Sequence, residues 1–137
     1  MDWLPIRLVP GDDLRRSLEL LVRDGALGAA MVVSGVGSLR VARLRYAGLD
    51  EPTTLEEDLE LVSLAGSIAV NGAHLHAIVA RVNGSVLAGH VAAGCIVRTT
   101  AELLLARLDG WHFERRDDAI TGFAELSIER RGGDGSP

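Results

Sequence analysis

Apolar residues recur along this chain with two different periods. From Trp3 to Val9 they alternate with polar ones, as in a half-buried strand, and Pro10-Gly11 closes the run. Leu14, Leu18, Leu21 and Val22 then fall on one face of a 3.6-residue period, with Arg15, Arg16, Glu19 and Arg23 on the other. An amphipathic helix is therefore predicted over about residues 12–25, capped by Asp12 or Asp13 and stopped at Gly25. Beyond it the period of two returns. Ala29 to Ser34 reads as a strand, Gly35-Val36-Gly37-Ser38 as a turn, and Leu39 to Tyr46 as a second strand. Gly48 to Thr54, with Pro52, reads as a loop, and the acidic cluster Glu56, Glu57, Asp58 and Glu60 as a solvated edge. Leu59 to Val70 is the next strand. Asn71-Gly72 and Asn83-Gly84 are hairpin signals, so three adjacent antiparallel strands are expected to form a central sheet.

The stretch from Cys95 to Leu108 supports two readings. Thr99-Thr100-Ala101-Glu102 has the form of a capping box before an apolar run and leans to helix, while the same residues fit a continuous strand. Trp111 to Arg115 reads as a strand, Arg116-Asp117-Asp118 as a turn, and Phe123 to Glu129 as the last strand. From Arg131 to Pro137 there is too little apolar surface to order a tail. The pattern predicts an α+β fold, one domain over residues 1–130, with a central antiparallel sheet and one main helix.

A length of 137 residues suits a single domain that buries roughly two thirds of its unfolded surface. The net charge of −5 gives no overall pull toward nucleic acid or an anionic membrane, and a DNA contact would need a local basic patch. All 14 basic residues are arginine, but Arg40, Arg43 and Arg45 form no clean stripe on the strand they occupy. The glycines before that strand are not a dinucleotide loop, because Arg40 replaces the third glycine and a strand follows where a helix would open. The single Cys95 excludes an internal disulfide, sits in an apolar run as a small core residue, and fits a reduced, cytoplasmic setting. Met1-Asp2-Trp3 does not resemble a signal peptide and the longest apolar runs are too short and too often broken by Gly or Arg to cross a bilayer, so a soluble protein is expected.

Three of the 4 histidines lie between Ala73 and Val91. His74 and His76 are separated by one residue in a β-branched run, so in a strand they project to the same side. Whether His90 joins them depends on the turn at Asn83-Gly84. A two-residue loop would pair Val82 with Ser85 and set His90 opposite Ala77, on the wrong face. A three-residue loop with Gly84 in the left-handed region pairs Arg81 with Ser85 and sets His76 opposite His90. In that register three imidazoles converge as metal ligands with a coordination position left open. The alternative is three hydrogen-bonded histidines on a half-buried sheet.

Several segments in order resemble a known family. Ser-Gly-Val-Gly-Ser-Leu at Ser34 to Leu39, Leu59 to Ile68, His-Leu-His at His74 to His76, Gly-Ser-Val-Leu-Ala-Gly-His at Gly84 to His90, Thr100 to Glu102 and Asp117 to Leu126 are similar to the PPC (plants and prokaryotes conserved) domain. The resemblance runs from about Ile6 to Ile128 and suggests a stand-alone prokaryotic member. It implies an α+β fold on an antiparallel sheet, a homotrimer, and a metal site, zinc by family, on His74, His76 and His90. It also implies that Ile96 to Leu105 is a strand, against the local lean to helix, and tertiary context commonly overrides a cap signal. In a strand, Arg98, Thr100 and Glu102 share a face, which makes Glu102 either a fourth ligand or a hydrogen-bonding partner of one, or else a surface carboxylate. One position departs from the family: Ala88 stands where Gly-Gly-His would have its first glycine.

Two functions follow as expectations. One is a regulatory module with DNA as the partner that the family implies, although the basic AT-hook segments of plant members are missing and Arg130-Arg131-Gly132-Gly133 is a poor substitute. The other is a metal-dependent lyase or hydrolase acting on a small polar molecule. The domain resembles acetolactate decarboxylase in fold and in its histidine-rich zinc site, and by that analogy Glu102 or Arg98 would assist a Lewis-acidic metal.

Overall fold

The computed structural model describes residues 2–23 and 27–132. Within them run β1 (Asp2–Leu8), α1 (Leu14–Arg23), β2 (Ala30–Arg45), β3 (Thr53–Leu55), β4 (Leu59–Ala69), β5 (Gly72–Ala80), β6 (Val86–Val91), β7 (Ile96–Arg107), β8 (Trp111–Asp117) and β9 (Ala124–Arg130). The main sheet has the order β1-β7-β2-β4-β5-β6, all neighbours antiparallel, with β3 on β2. The expected α+β architecture, an antiparallel sheet with one short helix, is what forms.

β2 organises this sheet. Its first part pairs with β4 from Ala30 to Leu39, and its far end pairs with β6 through Leu44–Val91 and Arg45–His90. A 16-residue strand that touches both ends of the β4-β5-β6 run curls that run closed. The concave side takes Leu39, Leu61, Leu64, Leu75, Val79 and Leu105, and α1 lays Leu14 and Leu18 onto it, all fully or almost fully buried. Each such leucine contributes roughly 1.5–3 kcal/mol by leaving water. Asp13 caps the helix by accepting the backbone N–H of Arg15 and Arg16 at 3.1 and 3.0 Å. The stop assigned to Gly25 lies outside the described residues.

The glycine-rich segment is where the structure corrects the turn reading. Gly35 to Ser38 is no turn but the middle of β2, which runs through with register shifts against β7. A Cβ on Gly35 would meet Leu64 and Leu103 at 2.8 Å, and one on Gly37 would run into the Thr100 carbonyl. These glycines let neighbouring strands approach and β2 bend. Two smaller corrections have similar causes. The loop read over Gly48 to Thr54 ends in β3, whose Thr53 and Thr54 pair with Leu44 and Arg43. Arg116 and Asp117 belong to β8, and the bend falls at Asp118–Gly122, where the Asp118 carboxylate accepts the N–H of Ile120 at 2.7 Å. Ile96–Arg107 is a strand, so the capping-box signal at Thr99 loses to β pairing on both sides with β1 and β2.

β8 and β9 form a separate two-stranded sheet. Phe113 anchors it in a small second core with Ala29 and Ala69, and its carbonyl accepts the Val70 N–H at 2.9 Å. The Asn71 side chain bonds both the N–H and the C=O of Arg115, at 2.6 and 2.8 Å. The hairpin is thereby fixed beside the β4–β5 turn. Arg131 still donates its N–H to the Gly110 carbonyl at 2.9 Å, and the rest of the expected tail, 133–137, lies outside the described residues. No helix of the described residues is long and apolar enough to cross a membrane.

Candidate metal centre

Strand parity and one turn set the geometry of the histidines. β5 alternates strictly: Ala73, Leu75, Ala77 and Val79 point into the core, and His74, His76 and Ile78 point out. The turn after it is the three-residue form. Arg81 donates its N–H to Ser85 O at 2.9 Å, Gly84 donates to Arg81 O at 2.8 Å, and Gly84 has φ of 80°, in the left-handed region open to glycine. The Asn83 carboxamide oxygen accepts the Ser85 N–H at 3.0 Å and holds the bend. His76 therefore stands directly opposite His90.

The three rings meet. Their centroids are 4.9 Å apart for His74–His76 and His74–His90, and 5.6 Å for His76–His90. One ring nitrogen from each lies within 4.8 Å of the others, and the Nε2 atoms of His74 and His76 are 3.1 Å apart. Around a tetrahedral zinc, with Zn–N of about 2.0–2.1 Å, ligand nitrogens sit roughly 3.3 Å from each other. One pair already has that spacing, and the third nitrogen lies within 4.8 Å of both. Protonation also suits a cation. Burial, then the neighbouring His74 and the Arg45 guanidinium, push the pKa of His90 down to about 4. Burial and the adjacent His76 lower that of His74 as well. Both rings are neutral near pH 7, the state in which imidazole ligates. The group can hold a metal ion.

The imidazoles stand on a divide between two depressions. One, of about 550 Å³, opens over the outer sheet face and is lined by His76, Ile78, Ala88 and Tyr46 among others. Ala88 is exposed there, beside the rings. The essential glycine of the pair is Gly89, where a Cβ would press on the Arg45 carbonyl at 2.9 Å and separate β6 from β2. The second depression, of about 730 Å³, lies between the end of β2, α1 and the β8–β9 hairpin, and reaches His74 and His90. Glu102 is not brought to the rings within this chain. It stands on β7 opposite Arg7 and Val36, and with Arg98 it lines a different hollow next to Thr99 and Glu60. β2 and β4 intervene between β7 and β5.

Sequence reasoning missed three residues at this site. Arg15, Arg45 and Arg115 all line the 730 Å³ cleft. The parity of β2 pointed to no stripe because only Arg45 reaches the site, through a β2–β6 pairing that no turn signal announces. Arg15 looked like the solvated face of a helix, and Arg115 like part of a peripheral strand. The signal available was weak: arginines flanking otherwise apolar strands.

Comparison with known proteins now places the chain. The Plants and Prokaryotes Conserved (PCC) domain matches residues 1–109. The chain belongs to the PCC family. Two Synechococcus proteins, each called bifunctional protein GlmU, are 44% identical to it over 126 and 130 residues. Those alignments take in 92% and 95% of this PCC chain but only 20% and 21% of the relatives, so it spans about a fifth of their length. Among solved structures, a hypothetical protein from Salmonella cholerae-suis is 38% identical with a TM-score of 0.91, covering 95% of this chain and 94% of that one. A metal-containing protein from Archaeoglobus fulgidus is 27% identical with a TM-score of 0.78, covering 93% of this chain and 94% of that one.

Proposed function

We propose that this PCC domain is a metal-binding module that holds a divalent ion, zinc by preference, on His74, His76 and His90, and works as a homotrimer in a cytoplasmic setting. The observation that carries the metal reading is the convergence of three imidazole nitrogens within 4.8 Å, two of them on rings whose surroundings keep them neutral. The likeness to an Archaeoglobus protein that is called metal-containing supports it. Bound there, a divalent ion would supply Lewis acidity to an oxygen ligand in whatever position the three imidazoles leave open. The chain's own part is to orient the rings by strand pairing and to keep those of His74 and His90 unprotonated. Purified protein should carry about one zinc per chain by elemental analysis, and His76→Ala should abolish it. Equal metal content in the two proteins would defeat the reading.

The trimer is supported by an apolar outer sheet face. Met31, Val33, Val36, Val62 and Ile78 are each at least 40% exposed on it. A soluble surface rarely leaves such a row uncovered, and further copies of the chain are the covering that the family resemblance suggests.

A second reading, a metal-dependent lyase or hydrolase of a small polar molecule, is favoured by one observation: the cleft that reaches His74 and His90 has room for a small metabolite. DNA, the partner that the family resemblance implies, has less in its favour. The chain carries 19 acidic residues against 14 arginines, and seven ion pairs among the described residues occupy Arg15, Arg16, Arg81, Arg98, Arg107 and Arg116.

A further inference from the structure

The cleft beside the imidazoles is lined by an unusual set of cations. Arg45 stands across from His90 in the β2–β6 pair, and its guanidinium is held by the Leu49 carbonyl at 3.2 Å. Arg115 comes from the hairpin on the other side, with one nitrogen on the Ser67 hydroxyl at 2.5 Å. Arg15 of α1 reaches the same space but is engaged by Glu19 and by the Val91 carbonyl, both at 2.9 Å. Among the described residues, neither Arg45 nor Arg115 is ion-paired with a carboxylate. The Nε–H of Arg115 is also buried and has no acceptor. A desolvated guanidinium donor without a partner is unfavourable, and it marks Arg115 as a cation whose hydrogen bonding is incomplete within the chain.

Nearby acids do not cancel this. Asp50 and Glu125 line the cleft, and Glu125 accepts the Thr121 hydroxyl at 3.0 Å while forming no ion pair with Arg115. Arg15 is neutralised by Glu19, which leaves Arg45 and Arg115 as the guanidiniums of the cleft that have no ion pair among the described residues, in a chain whose net charge is −5. Two guanidinium groups lining one space suit a carboxylate or phosphoryl group, which can accept two bonds from one fork.

We propose that this cleft binds a small organic oxyanion, its carboxylate or phosphoryl group held by Arg45 and Arg115, with an adjacent oxygen directed toward His74 and His90. The inference deepens the metal reading and rests on it for that second contact, but the arginine anchor stands on its own residues. It assigns the ligand class of the site: a compact anion with an oxygen next to its charged group. Residues from α1, β2, β6 and the hairpin all contribute, so the ligand is enclosed on several sides.

Calorimetric titration of metal-free and zinc-loaded protein with inorganic phosphate and, separately, with malonate tests this. Metal-free protein is expected to bind at least one of them with a dissociation constant of about 1 mM or tighter, and zinc-loaded protein about tenfold more tightly. Arg45→Gln and Arg115→Gln should each weaken binding about tenfold, while Arg107→Gln, a charge-matched change on an exposed arginine paired with Asp109, should leave it unchanged. Preference for phosphate or for malonate decides between the two sources of the charged group. Unfolding temperatures of the variants, and movement of the Arg115 Nε–H resonance on adding the anion to the unsubstituted protein, separate loss of the site from loss of the fold. Binding that is unaltered in both arginine variants would mean an adventitious ion only, and no detectable binding of either anion would overturn the inference equally. Zinc content is measured independently: zinc uptake without anion binding sinks this inference alone, and arginine-dependent anion binding without zinc uptake sinks only the metal reading.

Discussion

At the scale of single residues, His74 and His90 are held in the neutral form at some expense to acid stability. His90 titrates near 4 in the folded chain because of burial, then His74 and Arg45, and returns to its ordinary 6.5 on unfolding. Between those values the unfolded chain binds more protons than the folded one, so stability rises with pH across that window. Metal-free protein should therefore lose stability as pH falls from about 6.5 to about 4, and His74, lowered in the same direction, adds to the slope. Denaturant midpoints measured across that range should show the decline, and His90→Asn should flatten it. Gly66 matters to the same group from the other side of the strand. It pairs with Leu75, between His74 and His76, has φ of 147°, and a Cβ there would run into the His74 carbonyl. Gly66→Ala should cost about 2 kcal/mol or more in stability and weaken zinc uptake together, because relief of the clash moves β5. Undiminished zinc affinity in a measurably destabilised Gly66→Ala protein would show that the two are uncoupled.

At the scale of elements, the β5–β6 hairpin is the part of the site most legible in the sequence. Two histidines one residue apart fix a face, and Asn83-Gly84 leaves few loop geometries, of which only one puts His90 on that face. The observed pairing of Arg81 with Ser85 and of His76 with His90 is that register. It carries a direct test. Removing Val82, an 87% exposed loop residue, leaves Asn83-Gly84 as a two-residue loop that still pairs Arg81 with Ser85, so zinc uptake should survive. Removing Ser85 instead shifts β6 by one residue and places His90 opposite Ala77, so zinc uptake should vanish even in protein that remains folded. The reverse pattern in elemental analysis would refute the register argument. What could not be read locally was long-range pairing. Gly35 and Gly37 look like a turn because the same freedom that makes glycine a turn residue also lets strands approach closely, and only the partner strands β4 and β7 distinguish the two. The capping-box pattern at Thr99 failed for a related reason, since β7 is paired on both flanks and no helix could satisfy those partners.

At the scale of the whole molecule, closure of the sheet by β2 and the apolar outer face pull in different directions. Closure through Arg45–His90 ties the site to the end of β2 and protects one edge of β6. It leaves Met31, Val33, Val62 and Ile78 turned outward on neighbouring strands, with Ile78 two residues from His76 on the same face. Covering that face with further copies would also narrow the outer depression beside His76, which links assembly to access at that ring, whereas the arginine-lined cleft lies on the hairpin side. The chain mass is 14.5 kDa, and light scattering should give about three times that value. Val33→Asp places a charge at the centre of the patch, where an unpaired buried carboxylate costs several kcal/mol. It should convert the assembly to monomer while the anion-binding cleft, built from α1, β2, β6 and the hairpin, keeps its affinity. The same proteins decide the standing of DNA. With a net charge of −5 and few phosphates neutralised, neither trimer nor monomer should retard a labelled duplex at physiological salt. Retardation by the trimer that disappears in Val33→Asp would instead locate a nucleic-acid surface spanning several copies, one that a single chain does not possess.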